Sequence, residues 1–250
     1  MVKELLFVSG TPRSGTSALV RLLNLNPAVM IGMERYFSRY KKGGLDNSFF
    51  DADRFLDVQE NDTHAKGGFG MQDAKKLRER YERAQIIGDK YPLLYLQFDE
   101  ILAAFPEARH VFIIRNPLSV AESYQERSEN PADSFNKDYR TAIEEWNKGL
   151  DAMLALPEAA RAKFCVVEYE SIFKSAAEIN RLFTFLGLSP PEAKALAGLQ
   201  ERANDLEQTL VPRRDDLRAY VTRNAKWGLY KRFLRELSSP VQHQHDQVQR

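Results

Sequence analysis

A short apolar run that stops on a glycine and restarts as a helix a few residues later constrains this chain more than any other feature. Leu5-Leu6-Phe7-Val8-Ser9 is continuous rather than alternating, as expected of a parallel strand buried on both faces. Gly10-Thr11-Pro12-Arg13-Ser14-Gly15-Thr16-Ser17 follows, and Leu19, Leu22 and Leu23 then share one side of a helix closed by Asn26-Pro27. Strand, glycine loop and helix in that order make an anion site, because free backbone N–H groups and the helix dipole both face the loop. In the nucleotide-kinase pattern G-x-x-x-x-G-K-[ST], the Lys reaches the β/γ-phosphates and the Ser/Thr holds Mg²⁺. Here the spacing is kept, but Thr16 stands at the lysine position and the cation has moved inside the loop, to Arg13. Hydroxyls around an inner arginine suit a nucleotide with a 5′-phosphate and a singly charged leaving moiety better than a metal-bound triphosphate.

The rest of the chain repeats the theme. His110 to Ile114 and Phe164 to Val167 read as strands, with Val29-Met30-Ile31 and Gln85-Ile86-Ile87 as weaker ones. Helical patterns are predicted over residues 74–84, 93–105, 118–127, 139–156, 176–186 and 191–203. Strands alternating with helices predict an α/β fold around a central parallel sheet. Residues 41–73 are Gly- and Asp-rich and read as irregular, and 238–250 as a polar tail; no linker intervenes, so residues 1–237 are expected to form one domain. No apolar run in the 250 residues reaches the ~18 of a membrane span, and no signal-peptide pattern precedes the first strand. The single cysteine, Cys165, excludes an intramolecular disulfide and a multi-cysteine metal site, so a reducing, cytoplasmic setting is the expectation. Thirty-six Lys+Arg against 35 Asp+Glu leave a net charge of +1, and nucleic acid is not an expected partner.

A second candidate site lies at the carboxyl end of the strand His110 to Ile114, the edge at which open parallel sheets bind ligands. Arg115 leaves that strand, Asn116-Pro117 starts a helix, and Ser119 and Ser123 fall four residues apart on one face. The Arg115 guanidinium is suited to gripping a phosphate through paired hydrogen bonds.

Together the two segments resemble the PAPS-dependent sulfotransferases. Thr11-Pro12-Arg13-Ser14-Gly15-Thr16-Ser17 is similar to that family's 5′-phosphosulfate loop, and Arg115 with Ser123, eight residues on, to its 3′-phosphate motif. Val167-Glu168-Tyr169-Glu170-Ser171 and Phe185-Leu186-Gly187-Leu188 are similar to two further family segments. The resemblance implies a P-loop-like three-layer sandwich. It also implies transfer of a sulfuryl group from 3′-phosphoadenosine 5′-phosphosulfate (PAPS) to an acceptor hydroxyl or amine, leaving PAP, with no metal expected. It places Arg13, Ser14, Gly15, Thr16, Ser17, Arg115, Ser123, Arg127, Tyr169 and Lys226 at the nucleotide.

Pro27 to Arg35 is similar in spacing to the tyrosylprotein branch, whose catalytic Glu follows the proline by seven residues; Glu34 stands there. Lys90, in Gly88-Asp89-Lys90-Tyr91-Pro92, resembles a lysine found before a proline in many members, implying a contact to the bridging oxygen. The resemblance thus makes Glu34, Lys90 and Arg13 the catalytic set. The small-molecule branch uses a histidine two residues after its lysine, but Pro92 fills that slot. Of His64, His110, His243 and His245, only His64 rivals Glu34 as base; Glu34 beside Arg35 also reads as a surface ion pair, but its position after the loop helix favours the catalytic reading. Tyr36, Phe37, Tyr40, Phe49 and Phe50 are candidates for an acceptor pocket, or for core. The acceptor class (saccharide, small metabolite or peptide) is not readable from the sequence. A kinase with a degenerate loop and a non-catalytic PAP-binding protein are the competing readings.

Overall fold

Five parallel strands, β1 (Glu4–Ser9), β2 (Val29–Met33), β3 (Ile86–Lys90), β4 (Arg109–Ile114) and β5 (Phe164–Glu168), form one sheet in the order β2-β3-β1-β4-β5. The computed structural model describes residues 3–59, 62, 73–209 and 214–238, with side chains omitted for 202–209 and 236–238. His64, His243 and His245 lie outside those residues.

The continuous apolar strands are covered on both faces, giving a P-loop-like three-layer sandwich. Leu6, Val8, Ile31, Ile86, Val111, Ile113 and Val167 pack on one side, beneath the helices Thr16–Leu23 and Ala176–Phe185. Phe7, Met30, Ile87, Phe112 and Ile114 pack on the other, against Pro117–Glu129, Tyr139–Ala155, Asp215–Asn224 and Trp227–Ser238. That alternation along each strand is the two-residue period of extended chain.

The connections decide where a ligand can sit. After β1 the chain crosses to β2 on one side of the sheet, and after β4 to β5 on the other. The loops leaving β1 and β4 therefore diverge, opening a crevice at the carboxyl ends of two neighbouring strands.

Three expectations change. The helix predicted over 93–105 is split into a 3₁₀ segment, Pro92–Gln97, and a helix, Phe98–Ala104. The Pro92 carbonyl accepts the Gly10 N–H at 3.1 Å, so this segment is tied to the glycine loop instead of extending a regular helix. Within residues 41–73 the described part holds short helices, Asn47–Phe50 and Ala52–Leu56, which carry Phe50 and Phe55 into the core, while 60–61 and 63–72 lie outside the described residues. The helices Asp215–Asn224 and Trp227–Ser238 had no counterpart in the sequence reading. Among the described residues no helix is long and apolar enough to cross a membrane.

Candidate active site

Two glycines give the β1 loop its shape. Gly10 takes φ +148°, and a Cβ there would stand 2.4 Å from the Ile113 carbonyl of β4. Gly15 takes φ +91°, and its Cβ would stand 2.2 Å from the Tyr169 ring. Any other residue at either position collides with backbone or with a buried ring. Between them Arg13 also lies in the left-handed region, at φ 70°, a conformation that costs a non-glycine residue about 1–2 kcal/mol. The turn is closed by the Ser14 N–H donating to the Thr11 carbonyl at 3.0 Å.

That strained turn carries the Arg13 side chain to the β4 loop, where its Nε donates to Ser123 Oγ at 2.9 Å. Arg115 Nη1 donates back to the Arg13 carbonyl at 3.1 Å, and its guanidinium lies 4.1 Å over the Tyr169 ring. Trp146 Nε1 fixes the Arg115 carbonyl at 2.9 Å. Partial burial of its guanidinium, followed by the charges of Arg127 and Arg115, pulls the Arg13 pKa below that of an ordinary arginine. Three guanidiniums are thus gathered at one loop.

Arg115 Nε and Ser14 Oγ are buried without a partner among the described residues. Such atoms are costly. Both are donors at the same edge as the loop N–H groups, a donor set that fits anionic oxygens and hence the phosphate groups of PAPS.

Arg13, Ser14, Gly15, Thr16, Ser17, Arg115, Ser123 and Tyr169 are therefore brought together around one loop. Arg127 adjoins them through its charge, but its own guanidinium is held by Asp133 through bonds of 2.6 and 2.7 Å. Lys226 is exposed and bonded to Asp151 at 2.5 and 2.6 Å, and no contact among the described residues joins it to the loop.

The second half of the site stands on the neighbouring strands. Lys90 ends β3, in register with Val8 of β1 and Met33 of β2, and is only 3% exposed. Its Nζ donates to Glu34 Oε1 at 2.7 Å, and its carbonyl accepts the Glu34 N–H at 2.8 Å. Glu34 follows β2 at φ 55°, the second of the two non-glycine residues at positive φ among the described residues. Outliers of this kind concentrate at functional sites.

The Glu34–Arg35 pairing is not formed. Arg35 turns inward, fully buried, donating to Asp62 at 2.6 Å and to the carbonyls of Arg54, Phe55 and Asp57. The left-handed backbone at Glu34 sends adjacent side chains in different directions. Nor do Tyr36, Tyr40 and Phe50 line a pocket; all three are core, while Phe37 and Phe49 pack partly buried against it.

His110 is fully buried, with its ring stacked 4.5 Å from Phe164 and 5.6 Å from Phe7. It is therefore packed inside the sheet and remote from solvent. Two acidic groups escaped the sequence reading. Asp89, fully buried beside Lys90, is taken up below. Glu145, on the helix Tyr139–Ala155, accepts from the Tyr124 hydroxyl at 2.5 Å and from Lys137. After burial, the charges of Glu34 and Glu145 both raise the pKa of Tyr91, which stacks on Tyr40 at 4.7 Å.

Comparison with known proteins gives the family. Protein-tyrosine sulfotransferase A of Caenorhabditis elegans is 25% identical over 222 residues, 84% of this chain and 57% of that protein. Protein-tyrosine sulfotransferase 2 of Gallus gallus is 25% identical over 199 residues, 74% of this chain and 51% of that one. The chain thus spans little more than half the length of these two relatives. The sulfotransferase domain of the Synechococcus PCC 7002 olefin synthase shares the fold, with a TM-score of 0.55 at 20% identity, covering 93% of this chain and 94% of that one. The sulfotransferase domain from the curacin pathway aligns at a TM-score of 0.52 and 17% identity, covering 89% and 97%. The sulfotransferase family model matches residues 6–192, a span running from β1 and its loop through both candidate half-sites to β5, and on that match the chain belongs to the sulfotransferase family.

Proposed function

We propose that the chain transfers a sulfuryl group from PAPS to an acceptor hydroxyl, releasing PAP. The observation that carries this reading is the convergence of Arg13, Arg115 and Ser123 on one loop, next to a strand end where Lys90 and Glu34 are already bonded.

PAPS supplies a sulfuryl group joined to a good leaving group, so the protein's work is positioning and electrostatics. Arg13, Arg115, Arg127 and the loop N–H groups hold the phosphates, with Tyr169 as the platform under Arg115. The Glu34 carboxylate takes the proton that the acceptor oxygen gives up as its bond to sulfur forms. The Lys90 ammonium stabilises the charge left on the oxygen whose bond to sulfur breaks. Lys226, paired with Asp151, has no part in this arrangement.

The relatives named for protein tyrosine favour a phenolic hydroxyl as acceptor, and tyrosyl peptides are the first class to test. The experiment is transfer from radiolabelled PAPS to tyrosyl peptides, simple phenols and saccharides. Label appearing in one class, and lost with Arg115→Ala, is the expected result. No PAP binding by calorimetry, together with no transfer to any class, refutes the assignment.

A further inference from the structure

Asp89 is a carboxylate near the carboxyl end of the inner strand β3, at 0% exposure. Strand β3 reads Ile-Ile-Gly-Asp-Lys, and the two-residue period sends Asp89 to the side of Ile87 and Phe7, an aromatic layer without solvent. A charge placed there is costly unless something specific holds it. Burial pushes its pKa up to about 6, with the nearby N–H groups of Arg35, Tyr36 and Lys90 offsetting part of the rise.

What holds it is the turn that carries Glu34. Asp89 Oδ2 accepts the Tyr36 N–H at 3.2 Å and the Tyr40 hydroxyl at 3.1 Å. The N–H groups that follow a residue at positive φ form a small concavity for an anion, and Glu34 is that residue. The neighbouring strand makes room: Asp89 is in register with Gly32, and a Cβ on Gly32 would stand 2.9 Å from Asp89 Oδ1. Oδ1 itself has no partner among the described residues. A core built for stability alone is better served by an apolar residue here. Adjacent residues of β3 therefore grip the same turn from two directions, Lys90 by the Glu34 side chain and N–H, and Asp89 by the N–H groups just beyond.

We propose that Asp89 is a positioning residue for the reaction, its carboxylate filling the concavity behind Glu34 and so fixing the left-handed turn that presents Glu34 to Lys90. This rests on Glu34 being the base. Asp89 touches neither nucleotide nor acceptor; it acts through the turn. Tyr40 is part of the device, because its hydroxyl donates to Asp89 while its ring stacks on Tyr91, the residue after Lys90.

The test is a cycle of Asp89→Asn and Glu34→Gln, singly and together, with Tyr40→Phe as the milder variant, on the full chain. Turnover is measured with PAPS and an accepted acceptor, and PAP affinity by calorimetry. A misplaced base predicts a fall in kcat of about 10- to 100-fold for Asp89→Asn. PAP affinity stays unchanged, a split that general loosening of the fold does not give. In the Glu34→Gln background, Asp89→Asn costs less than about twofold more, because the two residues act as a unit. Tyr40→Phe lowers kcat by a smaller factor in the same pattern, and decides the matter if Asp89→Asn does not fold. Loss with Glu34→Gln but full turnover with Asp89→Asn or, failing that variant, with Tyr40→Phe overturns the proposal alone. So does a fully multiplicative loss in the double variant. Full turnover with Glu34→Gln is the separate result that removes the base, and the proposal with it.

Discussion

His110 sets up an acid sensitivity whose size follows from its surroundings. The imidazole sits in β4 between the rings of Phe164 and Phe7, with Phe98 edge-on at 6.4 Å, and neither ring nitrogen has a partner among the described residues. Burial first, and the Lys163 charge second, bring its pKa from 6.5 down to about 3. In the unfolded chain the same group takes up a proton near 6.5. Between those values the unfolded state binds the extra proton, so stability falls as the pH is lowered through this window. At roughly 1.4 kcal/mol per unit, acidification to pH 4 removes on the order of 3 kcal/mol. That is a large share of the roughly 5–15 kcal/mol that holds most domains folded. His110→Phe abolishes the titration and keeps a ring in the stack. It also removes two unsatisfied nitrogens, and it is expected to leave the protein at least as stable at pH 7. The assay is urea unfolding at pH 7, 6, 5 and 4 for both proteins, compared as a difference at each pH. Asp89 contributes with the opposite sign, since its raised pKa costs stability as pH rises through about 6, but it is present in both chains and cancels. The variant should gain on its parent by about 3 kcal/mol between pH 7 and pH 4. Parallel curves refute the reasoning, and with it the claim that this histidine is held neutral in the core.

Glu34→Gln should lower kcat by about 10²- to 10⁴-fold with PAP affinity nearly intact, and Lys90→Ala should follow the same pattern in stopped assays. Arg13→Ala should reduce both turnover and PAP affinity, read by kinetics and calorimetry on the same preparation. Gly15→Ala should weaken PAP binding without unfolding the chain, because the added Cβ displaces the ring beneath Arg115; unchanged affinity removes Tyr169 as its platform. Transfer should survive EDTA, and a loss restored by Mg²⁺ returns the kinase reading to contention.

What the sequence makes legible is what is local in it. The loop from Gly10 to Ser17 and the Arg115 to Ser123 segment each carry their geometry in consecutive residues, and each sits after a strand too apolar to misread. The partners of Glu34 are another matter. Lys90 is 56 residues away and meets it only because β2 pairs with β3 in a particular register, which no local pattern encodes. Arg35 is next in the chain and was the alternative partner, yet one left-handed residue sends it into the core. Asp89 had a visible signal, a lone carboxylate inside an apolar strand, that carries meaning only once the turn it caps is in place. Tyr36, Tyr40 and Phe50 show the limit from the other side, since an aromatic beside a candidate base reads equally as pocket or core until the layers are assembled. The helix Trp227–Ser238 was not legible: Tyr230 and Phe233, three apart and both buried, mark its inner face, but the basic residues between them hide the stripe.

The cations of the site differ in what they have left to offer an anion. Lys90 is engaged by Glu34, Arg127 by Asp133 through two bonds, and Lys226 by Asp151. Arg13 and Arg115 are held by neutral groups: a serine hydroxyl, a carbonyl and an aromatic ring. Like charges gathered this way repel, and an anion between them relieves that repulsion as well as gaining its own attraction. Near a protein surface, unit charges at 4 Å interact by about 4 kcal/mol, so on the proposed reading the two arginines without a bonded carboxylate contribute most to nucleotide affinity. Arg127 returns only the difference between its present partner and a phosphate. Lys226 is paired with Asp151 in an exposed bridge worth about 0–1 kcal/mol and makes no contact with the loop among the described residues, so it has no place in this ranking. Lys90 belongs to a different account. Its charge is spent on the carboxylate proposed to take the proton, so removing either member leaves the other unbalanced, Lys90 in a buried position and Glu34 in a half-buried one. That penalty falls on the chemical step rather than on the grip of the loop. The proposed mechanism therefore divides the work between strand ends, nucleotide affinity mainly at β1 with β4 and the proton and leaving-group chemistry at β2 with β3, with Arg13 serving both.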